Sequence, residues 1–165
     1  MPEYTNILFC TDFSEDANIA FLHALKLAVK YGARLHILHV PHSPFVYAKN
    51  VVDEHVQEGK SEEGQAFFDQ KIVDEAQIKL RSEYEGRMGD FRSYTFVIAC
   101  GAPEIEIMRY ARKNDIDLIV MGALGKADAN KLEHGSTVAS VAKYANCHVM
   151  AIRNPLKQFT LPISG

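Results

Sequence analysis

Five short apolar runs alternate along the chain with four longer stretches in which apolar residues return every three or four positions. The runs centre on Ile7–Cys10, Leu35–Val40, Phe96–Ile98, Leu118–Met121 and Val149–Ile152, and they predict strands over Thr5–Thr11, Arg34–Val40, Ser93–Ala99, Leu118–Met121 and His148–Ile152. The first helix is expected over Glu15–Tyr31, with Ile19, Leu22, Leu25, Ala28 and Val29 on one face. Ser14 can cap it, Glu15 and Asp16 place negative charge in its first turn, and Gly32 fits its C-terminal cap. The second helix is expected from Gln65 to Gly86 with a stripe of Phe68, Ile72, Val73, Ala76 and Leu80, ended by Gly86 and Gly89. A third starts at Pro103 and ends near Asn114, with Ile105, Met108 and Ala111 inward and Ile107 flanking. In the fourth, Val138, Val141, Ala142 and Ala145 follow at helical spacing.

Strands that alternate with amphipathic helices predict a doubly wound α/β fold, a parallel sheet with helices on both faces. In such open sheets ligands bind beyond the carboxyl ends of the strands, where the strand order reverses. If the fourth strand lies beside the first, Cys10-Thr11-Asp12 and Met121-Gly122 meet at that crevice. Between the second strand and second helix, residues 41–64 show no sustained periodicity. They read as a long loop with a short helical stretch around Val51–Glu58, either functional or disordered. One domain over residues 1–153 and a tail over 154–165, disordered or packed on a partner subunit, complete the expected organisation.

The chemistry concentrates in Met121–Val138, MGALGKADANKLEHGSTV. Gly122, Gly125 and Gly135 punctuate it between a strand and a helix. Glycines let a backbone approach an anion, and the following helix offers unpaired N–H groups and a positive dipole end. Lys126 adds a cation, and Ser136 and Thr137 add hydroxyls at the helix start. The segment is neither a Walker A loop nor the shorter Rossmann fingerprint. A plain structural turn remains the alternative on spacing alone.

Gly122, two residues, Gly125, nine residues, then Gly135-Ser136 resembles the nucleotide loop of the ATP-binding branch of the universal stress protein family. Asn6–Ser14 is similar to that family's first strand and turn, and Asp117–Gly122 to its fourth strand. The similarity runs from about Asn6 to Arg153. It implies a five-stranded parallel sheet of order 3-2-1-4-5, Rossmann-like and akin to the adenine nucleotide alpha hydrolases. It also implies an adenine nucleotide site. There Gly122, Gly125 and Gly135 shape the loop around a triphosphate, and the N–H groups of Gly125, Ser136 and Thr137 with the Ser136 hydroxyl bind phosphate. Asp12 accepts from ribose or adenine, Val40 flanks the base, and Met121 and Val138 pack nearby. A homodimer through the fifth strand, about 148–152, is implied as well. Each residue has an ordinary alternative: Asp12, Ser136 and Thr137 as helix caps, Val40 and Met121 as core. The chain departs from the family at Ala123-Leu124 and at Lys131, Glu133 and His134, which opens ADP or AMP beside ATP as the nucleotide.

Composition narrows the partners. The 165 residues carry a net charge of −3 with both signs interspersed, so neither nucleic acid nor a membrane is an expected partner. The start of the chain lacks a secretory pattern and no apolar run reaches spanning length, which points to the cytoplasm. Cys10, Cys100 and Cys147 form no Cys-x-x-Cys pair and are expected as buried free thiols. His36 and His39, three apart on a strand, point to opposite faces and cannot converge on a metal. His23, His42, His55, His134 and His148 form no cluster with them. Asp12 is the one side chain placed to help hold Mg²⁺ on a bound nucleotide. No catalytic set is evident, since Ser136 has no assigned base. The expectation is an ATP-binding stress or regulatory factor with at most slow hydrolysis. An enzyme of adenylate chemistry and a nucleotide-free interaction module are the alternatives.

Overall fold

The computed structural model describes residues 3–41, 62–124 and 136–155. They form β1 (Asn6–Cys10), α1 (Glu15–Tyr31), β2 (Arg34–His39), α2 (Glu62–Tyr84), a 3-10 turn (Glu85–Arg87), β3 (Tyr94–Ile98), α3 (Pro103–Lys113), β4 (Leu118–Gly122), α4 (Ser136–Tyr144) and β5 (His148–Ile152). All strand pairs are parallel, in the order β3-β2-β1-β4-β5. The sheet therefore has the expected order, and it reverses between β1 and β4, where Cys10 lies opposite Met121. The short helix expected at Val51–Glu58 and most of the 41–64 loop lie outside the described residues, as does the tail from residue 156.

Alternation along each strand splits the core in two. Ile7, Phe9, Leu35, Ile37, Leu118 and Val120 face α1 and α2, whereas Leu8, Cys10, Leu38, Ile119 and Met121 face α3 and α4. Local signals end the helices as their chemistry dictates. Ser14 Oγ accepts from the Ala17 N–H at 3.2 Å, Gly32 takes the left-handed conformation at φ 63°, and Pro103 opens α3. The Asp117 carboxylate accepts the Thr5 and Asn6 amides at 2.6 and 2.8 Å and so ties the start of β1 to the start of β4.

Four expectations need correction. The buried stripe of α1 is Ala17, Ala20, Phe21, Ala24 and Ala28, while Leu22 and Val29 are 48% and 59% exposed. Small side chains let the helix lie close on the sheet, so four alanines, with Phe21 among them, face it in place of Leu22 and Val29. In α3 the inward positions are Ile107 and Ala111, one turn apart, and Ile105 is 48% exposed. Helix α2 starts at Glu62 and ends at Tyr84, and Gly86 sits within the 3-10 turn. Of the three thiols only Cys10 is buried. Cys100 lies beyond β3 and is exposed, and Cys147 precedes the edge strand β5 and is half-buried.

Candidate functional site

The β1–α1 turn, Thr11–Ser14, sits at the carboxyl edge of the sheet beside the end of β4. Its side chains hydrogen-bond the backbone they sit on. Thr11 Oγ1 accepts from the Phe13 N–H at 3.0 Å, and Asp12 Oδ1 accepts from the Ser14 N–H at 3.0 Å. Phe13 is held in the left-handed region at φ 63°. Its ring packs 4.6 Å from that of His39, stacks on Tyr84, and carries Lys79 Nζ 4.4 Å from its centre. His39 Nδ1 donates to the Thr11 carbonyl at 2.7 Å, which places its neutral-form proton on that nitrogen. Tyr84 OH donates to Asn18 Oδ1 at 3.1 Å, so the Thr11 hydroxyl donates to Tyr84 across 2.6 Å. Burial dominates the Tyr84 phenol and pushes its pKa up to about 12, against the opposing effects of the Thr11 bond and Arg87.

These contacts sort the sequence-predicted residues. Cys10 lies opposite Met121 at the carboxyl ends of β1 and β4, with Thr11 and Asp12 following the one and Gly122 the other. The Cys10 thiol belongs to the α3–α4 core, and burial, with Cys147 second, holds its pKa above the ordinary thiol range. The Thr11 hydroxyl is buried and engaged by Tyr84 and Phe13. Asp12 is exposed at the edge. Val40, just past the end of β2, is half-buried against the α3–α4 core. Met121 and Val138 are core residues of that same layer. Thr137 is half-buried in the first turn of α4, of which Ser136 is the first residue. Gly125, Lys126 and Gly135 lie outside the described residues.

Gly122 is pressed against the start of α1. A Cβ there would lie 2.7 Å from the Ala17 nitrogen and 2.9 Å from both the carbonyl carbon and Cβ of Asp16. That close approach carries the residue that sequence reasoning missed. Asp16, expected only as a first-turn acid, is fully buried. Its Oδ2 accepts from the Leu124 N–H and its Oδ1 from the Asn154 N–H, each at 3.1 Å. Nothing in the sequence distinguishes it from the exposed Glu15. Tyr84 was legible: it continues the Ala76–Leu80 spacing by one more turn.

His36 and His39 do lie on opposite faces. His36 bonds Tyr110 OH at 2.8 Å and Asn6 Oδ1 at 3.3 Å under α3, whereas His39 faces Phe13. Among the described residues no three His, Cys, Asp or Glu side chains are grouped to hold a metal ion. A cavity of about 250 Å³ opens between the C-terminal ends of α3 and α4, lined by residues such as Met108, Arg112 and Cys147, and none of the sequence-predicted residues lines it. No helix among the described residues is long and apolar enough to cross a membrane.

Known proteins share this fold. The chain is 30% identical over 159 residues to universal stress protein MJ0531 of Methanocaldococcus jannaschii, covering 94% of this chain and 85% of that one. The solved structure of MJ0577, a universal stress protein of the same organism, superposes with a TM-score of 0.77 at 27% identity and covers 94% of this chain and 100% of its own. A universal stress protein solved in complex with cAMP shares the fold at 20% identity and a TM-score of 0.54, covering 92% of this chain and 98% of its own. The profile of the Universal stress protein family matches residues 3–153. With that match over most of its length and the expected strand order, this chain belongs to the universal stress protein family.

Proposed function

We propose that this chain binds an adenine nucleotide at the carboxyl edge between β1 and β4 and acts as a cytoplasmic, nucleotide-dependent stress or regulatory factor. The observation that carries the reading is the pairing of Cys10 with Met121 at the reversal of the strand order, which brings Asp12, two residues past β1, to the edge where β4 ends at Gly122, with Val40 just past the end of the neighbouring β2. Open parallel sheets bind ligands at that place. The cAMP complex of a distant relative is consistent with this fold accommodating an adenine nucleotide.

In this reading Asp12 accepts from the ribose hydroxyls or adenine and can help hold Mg²⁺ on the phosphates. Val40 flanks the base. Gly125, Gly135 and Lys126 surround the phosphates, and Ser136 and Thr137 donate from the start of α4. ATP is the first ligand to test, with ADP and AMP beside it. Phosphoryl transfer needs a positioned nucleophile and charge stabilisers beyond one lysine, so binding rather than turnover is the proposed activity. The exposed edge of β5 supports a homodimer through His148–Ile152, with a further protein partner reading the nucleotide state.

The test is the melting temperature of nucleotide-stripped protein with Mg-ATP, AMP or GTP, paired with sedimentation equilibrium. A ligand at a hundred times its Kd stabilises by about 2.7 kcal/mol, so ATP should raise the melting temperature further with each increase in concentration, whereas GTP should not raise it. Asp12→Ala and Gly135→Val should each remove the rise, and the mass should be that of two chains. No rise with any adenine nucleotide would leave a nucleotide-free interaction module as the reading.

A further inference from the structure

We propose that Asp16 is the positioning residue of this edge. One buried carboxylate sets where the chain leaves β4 and ties that exit to the exit of β5, so phosphate binding at this edge is coupled to the segment at Asn154. The inference rests on the nucleotide reading above and adds to it a residue that touches no ligand.

A carboxylate with no solvent exposure must find donors inside the protein. Asp16 finds them on two different segments. Oδ2 takes the amide of Leu124, two residues past β4, and Oδ1 takes the amide of Asn154, two residues past β5. Its place in the first turn of α1 adds the positive end of the helix. Gly122 allows the approach, because any Cβ there would collide with the backbone that carries Asp16. The two exits are also joined directly: the Ala123 N–H donates to the Ile152 carbonyl at 2.7 Å. The β4–β5 pairing thus runs one step past the strands and ends on the carboxylate. With one amide on each oxygen, the carboxylate accepts from both segments at once without presenting a hydrogen to either.

Asp16→Asn keeps the shape but replaces one oxygen with an NH₂ group, which must face an N–H donor. Asp16→Ala removes both acceptors. Amide hydrogen exchange at Leu124 and Asn154, read by NMR, reports the latch without any ligand. Isothermal titration with ATP and with adenosine reports its effect on binding. In Asp16→Ala both amides should exchange at least about tenfold faster while Leu8 and Ile119 in the strand centres hold. In Asp16→Asn at least one of the two should do so. In Asp16→Asn the ATP affinity should fall about tenfold with adenosine affinity unchanged, since a lost charge-assisted bond at the exit acts on phosphate contacts alone. Equal losses for ATP and adenosine would mark a merely structural residue and overturn the proposal. So would unchanged exchange at both amides in Asp16→Asn, which remains decisive if Asp16→Ala does not fold. Wild-type protein that binds neither ligand would sink the nucleotide reading instead, and the exchange measurement would still decide whether the carboxylate joins the two exits.

Discussion

Gly122 and Phe13 each occupy a position that their neighbours dictate. Gly122 has no room for a side chain, because the atoms a Cβ would meet belong to the backbone of Asp16 and Ala17 and cannot swing away. Gly122→Ala should therefore lower the stability by about 1–3 kcal/mol, the usual cost of overpacking, read as a lower urea midpoint with an unchanged slope. Phe13 adopts a left-handed conformation that costs a non-glycine residue about 1–2 kcal/mol. The Thr11 hydroxyl bond and the ring contacts with His39, Tyr84 and Lys79 offset that cost. The turn carrying Asp12 is thus set by residues around it.

At the scale of elements, α2 holds the β1–α1 turn. Tyr84, at its last residue, is fully buried and joins Thr11 of the turn to Asn18 of α1. Its ring also packs against Phe9 of β1 and Phe21 of α1. Tyr84→Phe keeps the packing and removes the hydroxyl, which leaves the buried Thr11 donor without its acceptor. The expected loss is about 1–3 kcal/mol of stability, measured by denaturant unfolding. Helix α1 illustrates what was legible in the sequence at this scale. Its bounds followed from Ser14 and Gly32, whose caps act within a few residues of themselves. Its buried face did not follow, because Leu22 and Val29 satisfy the helical period as well as Ala20 and Ala24 do. Only the closeness of the sheet selects the alanines.

For the whole molecule, His36 couples pH to folding through the layer beneath α3. Its ring bonds Tyr110 of α3 and Asn6 of β1, and burial, with Arg34 second, holds its pKa below the ordinary 6.5. In the unfolded chain the imidazole takes up a proton near pH 6.5, and the folded chain does so only at lower pH. Between the two values the unfolded state binds more protons, so this contribution is present above pH 6.5 and is lost as the pH falls below it. Urea midpoints compared at about pH 7.5 and about pH 5.5 should show a larger acid loss in the wild type than in His36→Gln.

Five strands, four helices and most of their ends follow from local pattern and caps, because each depends on residues within a turn or two along the chain. The glycine spacing and the Asn6–Ser14 segment likewise point to the family that residues 3–153 match. The burial of Asp16, the collision that excludes a Cβ at Gly122 and the engagement of Thr11 by Tyr84 depend on segments 108, 105 and 73 residues apart in the chain. Period and propensity carry no record of such meetings. They exist only once a parallel sheet has brought β1, β4 and β5 to one edge and laid α1 and α2 across it.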